Sequence, residues 1–270
     1  MTDPKAPTAA PAAPAAPAPG TAVVSWKEKM AGVMAVSAAM EAPKGGYLSF
    51  KGGNMSYDEQ MIPHNKLDVV VLNFVLENAM FREKYVAGKT ASPMCYAIGR
   101  MERDLKPHPD CEEPQNDQCG VPGEEGCCPH NEWGSDPDGG KGKACKNGRR
   151  IAIMSADFLG HTDAVDRIKA ANVLLCKIPV TSIKGFSSYV NQCVKVAEKP
   201  TFAMVTELST KPHPTSLFTV NWKIIDDIKG DDILHALYDR HVAADRLVTA
   251  PYPANEEPAP APAPRTAKKF

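Results

Sequence analysis

The sequence predicts a mainly β protein with flanking helices, of the α+β class. Three observations lead there. The run LDVVVLNFVL at 67–76 is rich in β-branched residues and too continuously apolar for a strand with one wet face, so it reads as a central strand. FAMVTELS (202–209) and LFTVNWKII (217–225) flank the turn-forming TKPHPT and read as an antiparallel hairpin. Helical periodicity, finally, is confined to a few separate segments.

In chain order, residues 25–40 read as a helix, with Ser25 as N-cap and Trp26, Met30, Val33 and Met34 at helical spacing. Glycine pairs at 45–46 and 52–53 then bracket YLSFK. In a strand, Leu48 and Phe50 share one face and Tyr47, Ser49 and Lys51 the other. After the central strand, Phe81, Arg82, Lys84 and Tyr85 mix cations with rings, as a nucleic-acid groove or a solvated loop would. RIAIMS (150–155) and VLLCKIPV (173–180) read as strands, with a helix between them over 162–171. From Thr181 or Ser182 a further helix puts Ile183, Phe186, Tyr189, Val190, Cys193 and Ala197 on one face, which makes Cys193, like Cys176, a core thiol. The last helix follows Gly230, with Asp231 and Asp232 at its N-terminus, a packed His241 on its apolar stripe and Pro251 beyond its end. Some five strands, mostly antiparallel, with a long insertion suggest an OB-like small barrel or a partly open sheet.

The ends are different in kind. Proline- and alanine-rich tails at 1–22 and 251–270 cannot bury enough apolar surface to fold, which leaves one domain over 23–250 with a cysteine-rich insertion at 108–150. No secretory or membrane-spanning run is found in the sequence, so a cytoplasmic protein without membrane contact is expected. A formal net charge of −1 gives no global attraction to polyanions. Any such site must come from local segregation, and residues 139–155 supply it: Lys141, Lys143, Lys146, Arg149 and Arg150 occur there without a carboxylate.

The insertion holds Cys111, Cys119, Cys127, Cys128 and Cys145 around PHNEWGSDPDGGKG. Its glycines and prolines break every regular period, and it has no hydrophobic face to fix its shape. Clustered thiols in a reducing compartment point to zinc, so a zinc-binding insertion is expected, with Cys95 as a further ligand or a buried thiol.

The succession YLSFKGG, NKLDVVVLNFVLEN, SPMCYAIGR, CCPHNEWGSDPDGGKGKACKNGRRIAIM, KIPVTSIKGFSSYV and FAMVTEL resembles a group of bacteriophage single-stranded-DNA-binding, replication-type proteins built on an OB fold. The resemblance spans about residues 26–252, and CPHNEWGS followed by GKGKACKN is its most specific part. It implies single-stranded DNA as ligand, phage replication or recombination proteins as partners, and the cytoplasm of an infected bacterium as the location. Two departures stand out. The related pattern has two cysteines separated by two residues before the proline, whereas here Glu125 takes the first position and Cys127 adjoins Cys128. Cys128 and Cys145 match directly, and Cys111 and Cys119 complete the expected zinc set, with Cys95, Cys127 and His130 as alternatives. The chain also ends in RTAKKF rather than in an acidic tail.

Charge and rings then define an expected interface. Lys141, Lys143, Lys146, Arg149 and Arg150 would meet phosphates while Trp133, with Tyr47 as the second ring, stacks on bases, so binding should tolerate any sequence and weaken with salt. Catalysis is not expected: the HNE run lacks the PCxxC that follows it in zinc deaminases. The alternative to nucleic acid is a zinc-stabilised structural or adaptor protein that binds another protein.

Overall fold

One strand of 15 residues, Lys66–Met80, carries the architecture. The computed structural model describes residues 30, 46–58, 60–83, 92–178, 180–214 and 216–252. The chain divides into two units, Met1–Lys44 and Gly45–Phe270, and every described strand belongs to the second. Of the helix expected over 25–40, only Met30 is among the described residues, and it is helical.

The strands are β1 (Tyr47–Lys51), β2 (Asn54–Tyr57), β3 (Gln60–Met61), β4 (Lys66–Met80), β5 (Cys95–Gly99), β6 (Lys146–Ser155), β7 (Leu174–Ile178), β8 (Met204–His213) and β9 (Leu217–Asp227). They form one sheet in the order β3-β2-β1-β7-β6-β4-β8-β9. All neighbours are antiparallel except β1 and β7. β4 is paired with β6 along one edge, while its other edge is shared by β8 at the start and β5 at the end. The sheet curls into a half-barrel. Its far strands approach each other where the Thr210 hydroxyl of β8 donates to the Gly53 carbonyl in the β1–β2 turn. Gly53 has a positive φ, and a side chain there would also press on Phe218.

Helices α1 (Ala164–Ala170), α2 (Val180–Asn191) and α3 (Asp231–Val248) complete the fold. Among the described residues no helix is long and apolar enough to cross a membrane. The expected α+β class therefore describes the chain, although the sheet has more strands than the sequence led one to count.

Period-two alternation in β4 feeds two cores. Val69 and Val71 pack with Ile151, Ile153 and Cys176 against Phe186, Tyr189 and Cys193 of α2 and the turn after it. Val70 and Leu72 pack on the other face with Ala152, Met154 and Leu175 against Ile168 of α1 and Leu237, Ala244 and Val248 of α3. A bulge between Val71 and Asn73 then shifts the parity, so Phe74 joins the α2 face and Val75 the α3 face. This decides where the polar residues of the following turn of strand point. Glu77 falls on the α3 side, while Leu76 and Asn78 fall on the opposite side, under the cysteine-rich insertion.

Candidate nucleic-acid interface

The insertion between β5 and β6 is held down by main-chain bonds to the sheet and by one buried side chain. His108 N–H donates to the Tyr96 carbonyl at 2.7 Å, and Glu113 N–H to the Met94 carbonyl at 3.1 Å. Leu105 packs with Ala97, Cys119 and Leu76. Within the insertion, Cys128 N–H donates to the Cys119 carbonyl at 3.0 Å and Cys145 N–H to the His130 carbonyl at 2.8 Å. Asn131 is the fully buried hub: its amide donates to the carbonyls of Cys119 and Gly120 at 3.3 and 3.1 Å, and its oxygen accepts from Asn147 at 3.0 Å. Asn147 in turn donates to Asn78 on β4. A chain of carboxamides thus joins the insertion to two strands.

The expected zinc site is overturned. Among the described residues, no group of three or more His, Cys, Asp and Glu side chains could hold a metal ion. The four proposed ligands are differently engaged. Cys111 donates its thiol proton to the Tyr96 carbonyl at 3.2 Å and accepts from Tyr96 N–H at 3.1 Å. Cys119, Cys128 and Cys145 line a small cavity with Cys95, His130 and Asn131. Burial pushes the thiols of Cys119 and Cys145 up to about 12. Of the alternatives, Cys127 lies outside that cavity, 3.5 Å from the Cys119 carbonyl. The network of backbone and asparagine bonds holds the loop in the role assigned to zinc.

Above this scaffold stands Trp133, 67 % exposed, with the Lys143 ammonium 4.7 Å from its ring centroid. A bond of 2.8 Å from Gly134 N–H to the Gly142 carbonyl lays residues 141–143 beside Trp133, which keeps exposed Lys141 in the same neighbourhood. Lys143 donates to the carboxamide oxygens of Asn147 at 2.8 Å and Asn131 at 3.4 Å. These partners orient the ammonium without cancelling its charge. Arg149 shares the β6 face of Asn147 and lies opposite Leu76, so it follows Lys143 along the same side of the sheet. Its guanidinium donates to the Gly148 carbonyl. Burial pulls both cations below their ordinary pKa values, which marks them as poorly solvated charges.

The rest of the expected interface is rearranged. Arg150 is 2 % exposed and faces the α3 core, where Glu77 accepts from it at 2.6 and 3.0 Å and the carbonyls of Val248 and Ala250 at the end of α3 accept as well. It is therefore removed from any surface. Neighbouring residues of a strand point to opposite faces, so Arg149 and Arg150 never belonged to one patch. Lys146 pairs with Asp136 at 3.3 Å, so the carboxylate-free run in sequence is not carboxylate-free in space. Tyr47 is 56 % exposed, but it alternates with Leu48 of the α2-side core and so points to the other face of the sheet from Arg149. In the stretch after β4, Arg82 pairs with Glu113 and Glu112, while Lys84 and Tyr85 lie outside the described residues.

The structure thus sets Lys143 against Trp133, with Lys141 in the adjoining loop and Arg149 on the Asn147 face of β6, and adds Asn131 and Asn147, which charge counting had no reason to pick out. Comparison with models of known protein families, with curated proteins and with solved structures finds no match.

Proposed function

We propose that the chain binds single-stranded DNA with little regard to sequence, as the phage replication-type proteins it resembles would, with the curled sheet serving as an OB-like platform. The observation that carries this reading is the exposed Trp133 ring with the Lys143 ammonium against it. A solvent-facing indole offers a stacking surface to any base, and an ammonium held by amide oxygens is left to meet phosphate. Arg149 and Lys141 extend the cationic side. Phage replication or recombination proteins, in the cytoplasm of an infected bacterium, are the partners this reading entails, and it gives the chain no catalytic role.

Fluorescence anisotropy of a labelled single-stranded oligonucleotide across a salt series, with duplex of the same length as competitor, tests the proposal. The single strand should win. With three cations engaged, the slope of log affinity against log salt should be about −2, at roughly 0.7 per phosphate. Absence of binding at low salt would refute the reading.

A further inference from the structure

Lys143 and Arg149 are not alone on their side of the sheet. β5, β4 and β6 align Gly99, Leu76 and Arg149 in one cross-strand row. Leu105 folds back over Gly99, so close that a side chain at Gly99 would collide with it. The turn Glu102–Asp104 between these two residues is therefore tied above the row that ends in Arg149. Glu102 lies in this turn, exposed to solvent, and its charge reaches both Lys143 and Arg149. Arg103 beside it is occupied with Glu124 at 2.9 Å. Glu132 also acts on Lys143, but of the two carboxylates it is Glu102 that acts on Arg149 as well. Glu102 is thus the carboxylate positioned to act on both poorly solvated cations.

We propose that Glu102 is a built-in competitor of phosphate, which holds the Lys143 and Arg149 charges in check until a nucleic-acid phosphate takes over that role. This inference rests on the reading of the Trp133 face as a single-strand site and adds its regulation. Two half-buried cations attract any passing anion, and a carboxylate tethered nearby reduces that attraction without filling the place where a phosphate binds. The consequence is a site tuned below its possible affinity, so that removing a carboxylate improves the protein as a binder.

The test is the affinity of labelled oligothymidylate for the full chain and its variants. Glu102→Gln should tighten binding about two- to fivefold at low salt, the range an exposed charge pair commands. The gain should fade by about 0.3 M salt as screening shortens the reach of the carboxylate. Glu102→Asp, which keeps the charge, should bind like the parent. Asp239→Asn on α3 makes the same change in net charge at an exposed position elsewhere and should leave affinity unchanged. If the parent binds but Glu102→Gln binds no tighter, or if Asp239→Asn tightens binding equally, the competitor role is wrong and the single-strand reading survives. If the parent does not bind at all, both are wrong.

Discussion

The Lys143 ammonium lies 4.7 Å from the centroid of the Trp133 ring, held there by the oxygens of Asn147 and Asn131. Position and charge are thus supplied by different residues. Lys143→Ala should remove one phosphate contact, lowering the salt slope of single-strand binding by about 0.7, with the folding midpoint nearly unchanged. A salt slope identical to the parent would show that Lys143 meets no phosphate.

Asn131 should matter through the loop it holds. Its amide serves two carbonyls inside the insertion and its oxygen serves Asn147 and Lys143. Asn131→Ala strands several buried groups, at a cost of about 1–3 kcal/mol for each left unsatisfied. Hydrogen exchange should accelerate at the amides of Cys128 and Cys145 before it does so in β4. Unchanged protection there would assign the fixing of the insertion to something other than this side chain.

Arg149 and Arg150 should separate cleanly. Arg150→Met leaves the buried Glu77 carboxylate with Lys177, at 3.3 Å, as its remaining cation among the described residues, and should destabilise the chain by about 3–5 kcal/mol in urea denaturation. Tyr252 covers both cations, with Lys177 4.0 Å and Arg150 5.2 Å from its ring centroid, so the end of the described chain should loosen as well. Arg149→Ala should do the reverse, weakening binding while hardly moving the denaturation midpoint. Stable Arg150→Met with impaired binding would return Arg150 to the interface.

The buried thiols predict alkaline sensitivity. Burial raises Cys119, Cys145 and Cys176 from 9.0 to about 12 and Cys127 to about 11. In the unfolded chain these thiols ionise near 9, so above that pH the unfolded state holds fewer protons and stability falls as pH rises. The stabilisation is whole below pH 9 and is lost progressively toward 12. Denaturation midpoints recorded from pH 8 to 11 should decline through this window, and a flat profile would mean that the thiols are not buried as described.

Much of the scaffold was legible because it depends on period. The apolar run in β4, the hairpin of β8 and β9 and the apolar stripe that runs from Ile183 in α2 past its end to Ala197 announce themselves by spacing alone. β6 was read from Arg150 onward, whereas it begins at Lys146. Alternation with Ile151 and Ala152 decides which of two adjacent arginines faces the α3 core, and the bulge at Leu72 sets the parity of the facing strand. A bulge has no signature in hydrophobicity, so the burial of Arg150 with Glu77 could not be foreseen. The cysteines misled for a related reason. Their density suggested a metal, but asparagine side chains and main-chain bonds fix the insertion, and such bonds depend on contacts between Asn78, Asn131 and Asn147 that are remote in sequence. Trp133 was picked from its ring and its surroundings, and its exposure is compatible with the use expected of it.

The most direct measurement of the central claim is the affinity of Trp133→Ala for labelled single-stranded DNA beside that of the parent chain, with urea midpoints to confirm that both are folded. Stacking on an exposed ring contributes about 1–3 kcal/mol per base, so the variant should bind about five- to hundredfold more weakly at an unchanged midpoint. Equal affinities for parent and variant would show that no base stacks on Trp133, and would contradict the account.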